Sequence, residues 1–330
     1  MHVTDARYEL YGLPSGNPYA SRPLDPLACE EDRHRLFDLE GFIRSTAIEA
    51  TVESAAATDR PAFFLITGMG NSGRTSLANH VMYRYQHART ARLPPFRFVT
   101  HYAERGEMTH DAYRTLRSTL LSLRAKMRVN QIDVPPPLAE MFTELSRRPR
   151  AQAMDDYELQ EIADYAAAIF AAHDMGFGVR YEGVATKELI TLATRVFENA
   201  STVVVFTVDN YRHATAVQLT RADRQEFARR GHITDLSPLS PAQIAALADH
   251  RWTGHPPSPF DSAGVLKAFQ EHPCTIGQAL RHLYKLLDTR LRQYDGDEPW
   301  PTDGLRIHEH WLLLHMSRDE TWYGPGGFHG

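Results

Sequence analysis

The residues of this chain that are best suited to chemistry lie in a glycine-rich turn at residues 68–76. The turn reads GMGNSGRTS, and it fits the phosphate-binding pattern GxxxxGK[ST] except that arginine stands at the lysine position. Glycines let the backbone curl so that successive N–H groups point inward, and a following helix adds its positive end. The turn therefore predicts a phosphate site formed by Gly68, Gly70, Asn71, Ser72, Gly73, Arg74, Thr75 and Ser76.

The arginine at position 74 changes what this turn can be expected to do. A lysine reaches the β- and γ-phosphates as a compact charge, whereas an arginine presents a wider planar fork. Phosphate binding can survive this exchange while hydrolysis weakens. The hydroxyl of Thr75 is the predicted ligand for Mg²⁺. The alternative is a glycine-rich connection between a strand and a helix that binds no ligand.

Strand and helix patterns alternate around the turn. An apolar run enters it, and an amphipathic helical pattern leaves it. Four further strand-like runs follow, at residues 96–102, 175–182, 202–209 and 232–236. The run at 202–209 is almost wholly apolar, as is typical of a strand buried on both faces of a parallel sheet. The sequence therefore predicts the α/β class: a doubly wound, parallel, five-stranded sheet that binds its ligand at the carboxyl ends of the strands.

Changes in composition divide the chain into four predicted parts. Residues 1–28 are rich in proline, glycine, serine and tyrosine, and they are predicted to form an extended arm. Residues 29–237 form the predicted α/β domain that carries the turn. Residues 238–294 contain three helical patterns and are predicted to form a small helical lid. Residues 295–330 are predicted to be a tail with one short helix.

Composition argues against several classes of protein. The chain of 330 residues has 42% hydrophobic and 23% charged residues and a net charge of -5, so it has no overall attraction to nucleic acid or anionic membranes. Its two cysteines are too few for a disulfide framework. No apolar run approaches the ~18 residues of a membrane helix. We therefore expect a cytoplasmic protein with no membrane partner.

The motifs taken together resemble those of the AAA+ ATPases and their relatives the STAND ATPases, over about residues 30–292. The stretch GMGNSGRTSLA is similar to the STAND loop GMGGxGKTTLA, and residues 233–247 are similar to the junction that leads into the lid of these families. Pro273 stands where STAND lids carry the proline that packs near the nucleotide base, although the preceding glycine is absent. The resemblance implies a P-loop NTPase-like sheet with a C-terminal α-helical lid, and ATP or ADP with Mg²⁺ as cofactors.

The resemblance leaves two assignments for the Walker B acid. By element order Glu182 follows the third strand and is the candidate catalytic residue, while Thr207 and Asp209 on the fourth strand lie near the γ-phosphate. The other assignment makes Asp209 the metal ligand. We prefer the first assignment, in which the family's aspartate is replaced by Tyr181. The altered lysine and aspartate positions imply weak or absent hydrolysis.

The resemblance implies an ATP- or ADP-binding switch or assembly factor that acts with protein partners or by self-assembly. Family analogy alone adds a role in bacterial signalling or defence. Two alternatives remain open at this point. One is a nucleotide-free pseudo-ATPase that serves as a scaffold for protein partners. The other is a DNA-associated AAA+ regulator, and its only support in the sequence is the basic run at residues 147–150.

Overall fold

The computed structural model of the protein describes residues 6–13, 16–36, 48–103, 111–148, 154–182, 185–209, 219–254, 257–293 and 306–318. Its centre is a sheet of five strands, β1 (Ala62–Gly68), β2 (Arg97–Ala103), β3 (Met175–Tyr181), β4 (Thr202–Asp209) and β5 (His232–Leu236). The strands pair in parallel in the order β2-β3-β4-β1-β5. This confirms the predicted P-loop NTPase-like α/β fold with a doubly wound parallel sheet.

Helices connect the strands and cover the sheet. Within the described residues they are α1 (Asp32–Arg35), α2 (Ile48–Thr58), α3 (Arg74–Arg92), α4 (Ala112–Val129), α5 (Pro136–Arg147), α6 (Asp156–Ala172), α7 (Lys187–Val196), α8 (Arg221–Ala228), α9 (Pro241–Arg251), α10 (Ser262–Ala268), α11 (Ile276–Arg292) and α12 (Glu309–Arg318). No helix in this described part combines the length and the apolar character required to cross a lipid bilayer.

Alternate residues of the central strands pack on opposite faces of the sheet. Phe63 and Leu65 of β1 belong to the core that β1 shares with α4 to α7. Phe64 and Ile66 belong to the core on the other face, with α2 and α3. All eight residues of β4 are buried, as the apolar run predicted. Because β4 lies between β1 and β3, the carboxyl ends of these three strands meet at one edge of the sheet.

The N-terminal segment packs against the C-terminal helices. It contains a short 3-10 helix, Ala6–Tyr11, and a buried Tyr19. The Tyr19 hydroxyl donates a hydrogen bond of 2.9 Å to the carbonyl oxygen of Ala248, and its ring meets that of Phe260 edge to face at 5.4 Å. Buried aromatic rings with satisfied hydroxyls make strong anchors. The segment that the sequence predicts as an extended arm is therefore fixed to α9 and its neighbours.

Candidate functional site

The glycine-rich turn joins β1 to the N-terminus of α3, and two of its residues have left-handed backbones. Asn71 has φ 62°, and Gly73 has φ 91° at the N-cap of α3. A side chain at Gly68 would lie 2.9 Å from the carbonyl oxygen of Leu236, so this position requires glycine. A side chain at Gly70 would have no neighbour within 4 Å. The fold itself therefore explains the glycines at 68 and 73 but not the glycine at 70.

Alanine substitutions at Gly70 and Gly73 distinguish a glycine that the backbone conformation requires from a glycine that ligand binding requires. We expect Gly73→Ala to destabilise the ligand-free protein by about 1–2 kcal/mol, because a Cβ disfavours the left-handed region. Gly70→Ala should leave its thermal unfolding nearly unchanged. If Gly70 serves close approach of a phosphate, Gly70→Ala should nevertheless weaken nucleotide binding. Equal stability losses in the two variants, measured by denaturant unfolding, would contradict this distinction.

A cleft of about 230 Å³ opens beside the turn. Its walls come from the N-terminal segment, the turn, β5, the last residue of α9 and the first turns of α11. The lining contains three arginines and, among its described residues, no acidic side chain. The lining residues are Ser21, Arg22, Pro23, Leu24, Leu36, Asn71, Ser72, Gly73, Arg74, Thr75, Ser76, Leu77, Leu236, Arg251, Ile276, Gly277 and Leu280.

Arg74 forms an ion pair with Asp209 at the end of β4. The Arg74 Nη2 and Asp209 Oδ2 atoms are 3.2 Å apart, and the two side chains are only 15% and 9% exposed. The Arg74 Nη1 atom is buried and has no hydrogen-bond partner among the described residues. One side of the guanidinium is thus held by a carboxylate, while the other has unused donor capacity. The structure brings these two sequence-predicted residues into contact.

Thr75 and Glu182 also meet, at the end of β3. The Thr75 hydroxyl donates to Glu182 Oε1, and Glu182 Oε2 lies 2.8 Å from Arg180 Nη2. Arg180 in turn donates to Asn79 Oδ1 of α3. Its guanidinium carbon stands 4.1 Å from the centre of the Tyr102 ring. A continuous polar chain therefore runs from the turn through Glu182 into the interior of the domain.

Thr75 and Glu182 are the oxygen donors nearest to the place predicted for a magnesium ion. Mg²⁺ requires near-octahedral oxygen coordination, usually with one or two carboxylates free to bind it. Both oxygens of Glu182 are engaged, by Thr75 and Arg180, and Asp209 is paired with Arg74. The described residues contain no group of three or more His, Cys, Asp or Glu side chains that could hold a metal. The donor set of Thr75 and Glu182 therefore does not fit a magnesium ion.

The N-terminal segment contacts the turn helix directly. The Leu24 N–H donates to Ser76 Oγ at 3.0 Å, and the Leu24 carbonyl oxygen accepts from Asn79 Nδ2 at 2.8 Å. Ser76 is one of the residues predicted to bind phosphate. In this arrangement its hydroxyl oxygen accepts a hydrogen bond from the N-terminal segment instead. Leu24 and Asn79 were not found from the sequence, because a contact across more than fifty residues leaves no local pattern.

A buried carboxylate holds this segment in place. Asp32 is fully buried and accepts hydrogen bonds of 2.6 Å from both terminal nitrogens of Arg22, and one of 2.8 Å from the Asp25 backbone N–H. Burial raises the pKa of Asp32, but these hydrogen bonds and the Arg22 charge outweigh it and leave the pKa below its ordinary value. Arg251, which also lines the cleft, is only 6% exposed, and burial with the nearby Arg35 charge lowers its pKa to about 10.

Six of the predicted site residues are not among those that line the cleft: Gly68, Gly70, Glu182, Thr207, Asp209 and Pro273. Thr207 is buried within the sheet, where its hydroxyl donates to the Tyr181 carbonyl oxygen at 3.4 Å. Pro273 is exposed, and the C-terminal helices reach the turn three residues later. There the Gly277 N–H donates to the Asn71 carbonyl oxygen at 2.9 Å. A Cβ at Gly277 would also lie 2.9 Å from that oxygen, which explains the glycine.

The basic run at residues 147–150 gains no support as a nucleic-acid site. Arg148 lies 2.8 Å from Glu144 and 3.1 Å from Glu158, so its charge is already compensated. Residues 149 and 150 lie outside the described part of the chain.

Comparison with known proteins shows similarity in structure only. No family model and no curated protein sequence matches the chain. The ORC2 protein of Aeropyrum pernix, solved as ADPNP-ADP complexes, is 11% identical with a TM-score of 0.51, over 92% of this chain and 71% of that one. Drosophila ORC bound to DNA is 12% identical with a TM-score of 0.46, over 97% of this chain and 68% of that one.

A third similar structure is the HORMA:CdnC:Trip13 complex of E. coli MS115-1. It is 13% identical with a TM-score of 0.47, over 88% of this chain and 91% of that one. At such identities a structural match shows the fold and leaves function to be argued from the site. The chain thus shares a P-loop NTPase-like α/β fold with the ORC2 protein of Aeropyrum pernix.

Proposed function

We propose that the protein binds ATP or ADP in the cleft beside the turn and acts as a nucleotide-dependent switch or assembly factor with weak or no hydrolysis. The observation that carries this proposal is the meeting of three guanidinium groups with a helix N-terminus in one cleft, two of them held in place by the carboxylates of Asp32 and Asp209. Arg22, Arg74 and Arg251 come from three separate parts of the chain and line one cleft at the N-terminus of α3. Guanidinium groups and a helix N-terminus together favour a bound phosphate chain.

The apolar part of the cleft suits the base of a nucleotide. Leu24, Leu36, Leu236, Ile276 and Leu280 line it beside the arginines. Ligand pockets commonly combine such apolar walls with a few convergent polar groups. The fold shared with ORC2 of Aeropyrum pernix, whose structure was solved as ADPNP-ADP complexes, supports an adenine nucleotide.

The contacts around the turn suggest how a nucleotide bound in the cleft would change the positions of α11 and the N-terminal segment. The Asn71 carbonyl oxygen binds Gly277 of α11, and Ser76 Oγ binds Leu24 of the N-terminal segment. The cleft is also smaller than the ~300–1,000 Å³ of most ligand pockets. Because phosphate oxygens need hydrogen-bond donors, they do not compete for these two acceptor oxygens, but a nucleotide larger than the cleft must shift α11 or the N-terminal segment. We propose that residues 238–294 move relative to residues 29–237 in this way, and so control partner binding or self-assembly.

A nucleotide-free scaffold is the second candidate. It is favoured by the ion pair of Arg74 with Asp209 and by the hydrogen bond of Thr75 with Glu182. In both cases a residue predicted to contact the ligand already has a partner within the chain. Under this alternative the fold would present its surfaces to proteins without binding ATP or ADP.

Thermal unfolding of the full chain with ATP, ADP and adenosine separates the two candidates. A ligand present at about 100 times its Kd stabilises the folded state by ~2.7 kcal/mol. We expect ATP and ADP at ~1 mM to raise the melting temperature by a few degrees. Adenosine should raise it much less, because it lacks the phosphates. No shift with either nucleotide would contradict the proposal and favour the scaffold, and rapid ATP turnover would contradict weak hydrolysis.

A further inference from the structure

Arg180 is a buried cation beside Glu182, the residue that the resemblance assigns as the candidate catalytic acid near the predicted magnesium ion. Its Nη2 lies 2.8 Å from Glu182 Oε2, and the other oxygen of Glu182 accepts the Thr75 hydroxyl. A divalent ion between Thr75 and Glu182 would have to break that hydrogen bond and sit beside the guanidinium. Two like charges at such short range repel strongly in a site with little water.

Three contacts hold the Arg180 side chain in this position. The side chain is 5% exposed; it pairs with Glu182, donates to Asn79 Oδ1, and stacks over the Tyr102 ring at 4.1 Å. Asn79 is itself fixed, because its Nδ2 donates to the Leu24 carbonyl oxygen. Turning Arg180 away to free Glu182 for a metal would break these contacts and leave a buried charge poorly compensated. The Arg180 guanidinium is therefore held in a fixed position beside Glu182.

The other acidic candidate is compensated in the same way. Asp209 is paired with Arg74 at 3.2 Å, so each of the two possible Walker B acids has its own arginine. Neither carboxylate is among the residues that line the cleft, so a phosphate chain entering it would meet Arg22, Arg74 and Arg251 and no acidic side chain among the described lining residues. Arginine is well suited to this task because its planar fork can bind phosphate oxygens in pairs.

We infer that this site binds nucleotide phosphates without a divalent cation, because Arg180 provides at Glu182 the positive charge that Mg²⁺ would otherwise provide. The inference rests on the proposed nucleotide binding and adds that this binding needs no divalent metal ion. It concerns binding, and it needs no reaction at the phosphates.

Isothermal titration of the full chain with ADP, in EDTA and then in excess Mg²⁺, tests this inference directly. We expect the Kd in the two conditions to differ by less than about threefold. A loss of affinity of about tenfold or more in EDTA would overturn the inference and leave the proposed nucleotide binding standing. Absence of binding in both conditions would contradict the proposed function, and the inference would fall with it.

Substitutions at Arg180 test whether this residue is what allows ADP to bind without Mg²⁺. Arg180→Gln should weaken ADP binding in EDTA by about tenfold, and Mg²⁺ should restore part of the loss because Glu182 becomes available. Arg180→Lys is the matched control, and it should keep most of the affinity because it keeps the charge. Wild-type affinity of Arg180→Gln in EDTA would overturn the assignment.

Glu182→Gln gives an independent readout should Arg180→Gln fail to fold. Removing the carboxylate leaves the Arg180 charge less compensated and removes repulsion of the phosphates. ADP binding in EDTA should therefore tighten by a few fold. Weaker binding of Glu182→Gln than of wild type, seen only in Mg²⁺, would show that Glu182 holds a metal and would overturn the inference.

Discussion

Replacement of Arg74 by alanine is expected to abolish the rise in melting temperature that ATP or ADP causes. The guanidinium lines the cleft at the N-terminus of α3, and its Nη1 atom is buried with unused donor capacity. The substitution removes the charge that stands where phosphate-binding turns usually carry lysine. Thermal unfolding of Arg74→Ala at saturating nucleotide gives the measurement. A shift as large as that of the wild type would rule out contact between Arg74 and a phosphate.

The ligand-free protein should also respond to this substitution, because of Asp209. The ion pair predicts a loss of about 1–3 kcal/mol when the buried Asp209 carboxylate loses Arg74. The double variant Arg74→Ala/Asp209→Asn is the matched control. It should recover most of the stability without recovering the response to nucleotide, and this separates the structural role of Arg74 from its role in binding.

Replacement of Asp32 by asparagine is expected to have the largest effect on stability. The carboxylate is fully buried and bound by Arg22 and by the Asp25 backbone. Removing one member of a buried pair costs roughly 3–5 kcal/mol, and we expect about 2–3 kcal/mol here because Arg22 is half exposed. Nucleotide affinity should fall as well, since Asp32 positions the segment that carries Arg22 and Leu24 to the cleft.

The loss of stability caused by Asp32→Asn should become smaller as the pH falls. The hydrogen bonds and the Arg22 charge hold the folded pKa of Asp32 below the ordinary value, which is about 3.9 in an unfolded chain. A lowered folded pKa stabilises the protein at any pH above the unfolded value, and this contribution is lost as the pH falls through the folded pKa. The difference in unfolding free energy between wild type and variant should therefore be constant above about pH 5 and shrink below about pH 4.

Glu30→Gln provides the control on the same segment. Glu30 forms an exposed ion pair with Arg33 at 3.1 Å, and pairs of this kind contribute about 0–1 kcal/mol. Denaturant unfolding of both variants makes the comparison. An Asp32→Asn variant that is as stable as Glu30→Gln would contradict the anchoring role given to Asp32.

The fold could be predicted from the sequence because its signals are local. An apolar run such as residues 202–209 marks a strand buried on both faces, and the glycines of the turn mark a backbone that side chains would obstruct. The parallel order then follows from helices that connect successive strands. The same signals placed Arg74 and Thr75 at the cleft, and the order of the strands brought Asp209 and Glu182 next to them.

The remaining parts of the site depend on contacts that leave no local pattern. Arg22 and Arg251 reach the cleft from distant segments of the chain, and each looks like an ordinary charged residue in its own segment. Arg180 carried one usable signal, since an arginine within a buried strand requires partners. The sequence could not identify those partners, because Asn79 and Tyr102 come from other elements.

A crystal structure of the full chain with ADP tests the central claim, that the cleft beside the turn binds a nucleotide, most directly. We expect phosphate density within hydrogen-bonding distance of the turn amides and Arg74, with the base against the apolar walls from Leu24 and Ile276. Arg180 should still be paired with Glu182, with no metal between Glu182 and Thr75. Nucleotide binding in the cleft would be contradicted by crystals that are grown at saturating ADP, show no ADP density in the cleft and still have α11 hydrogen-bonded to Asn71.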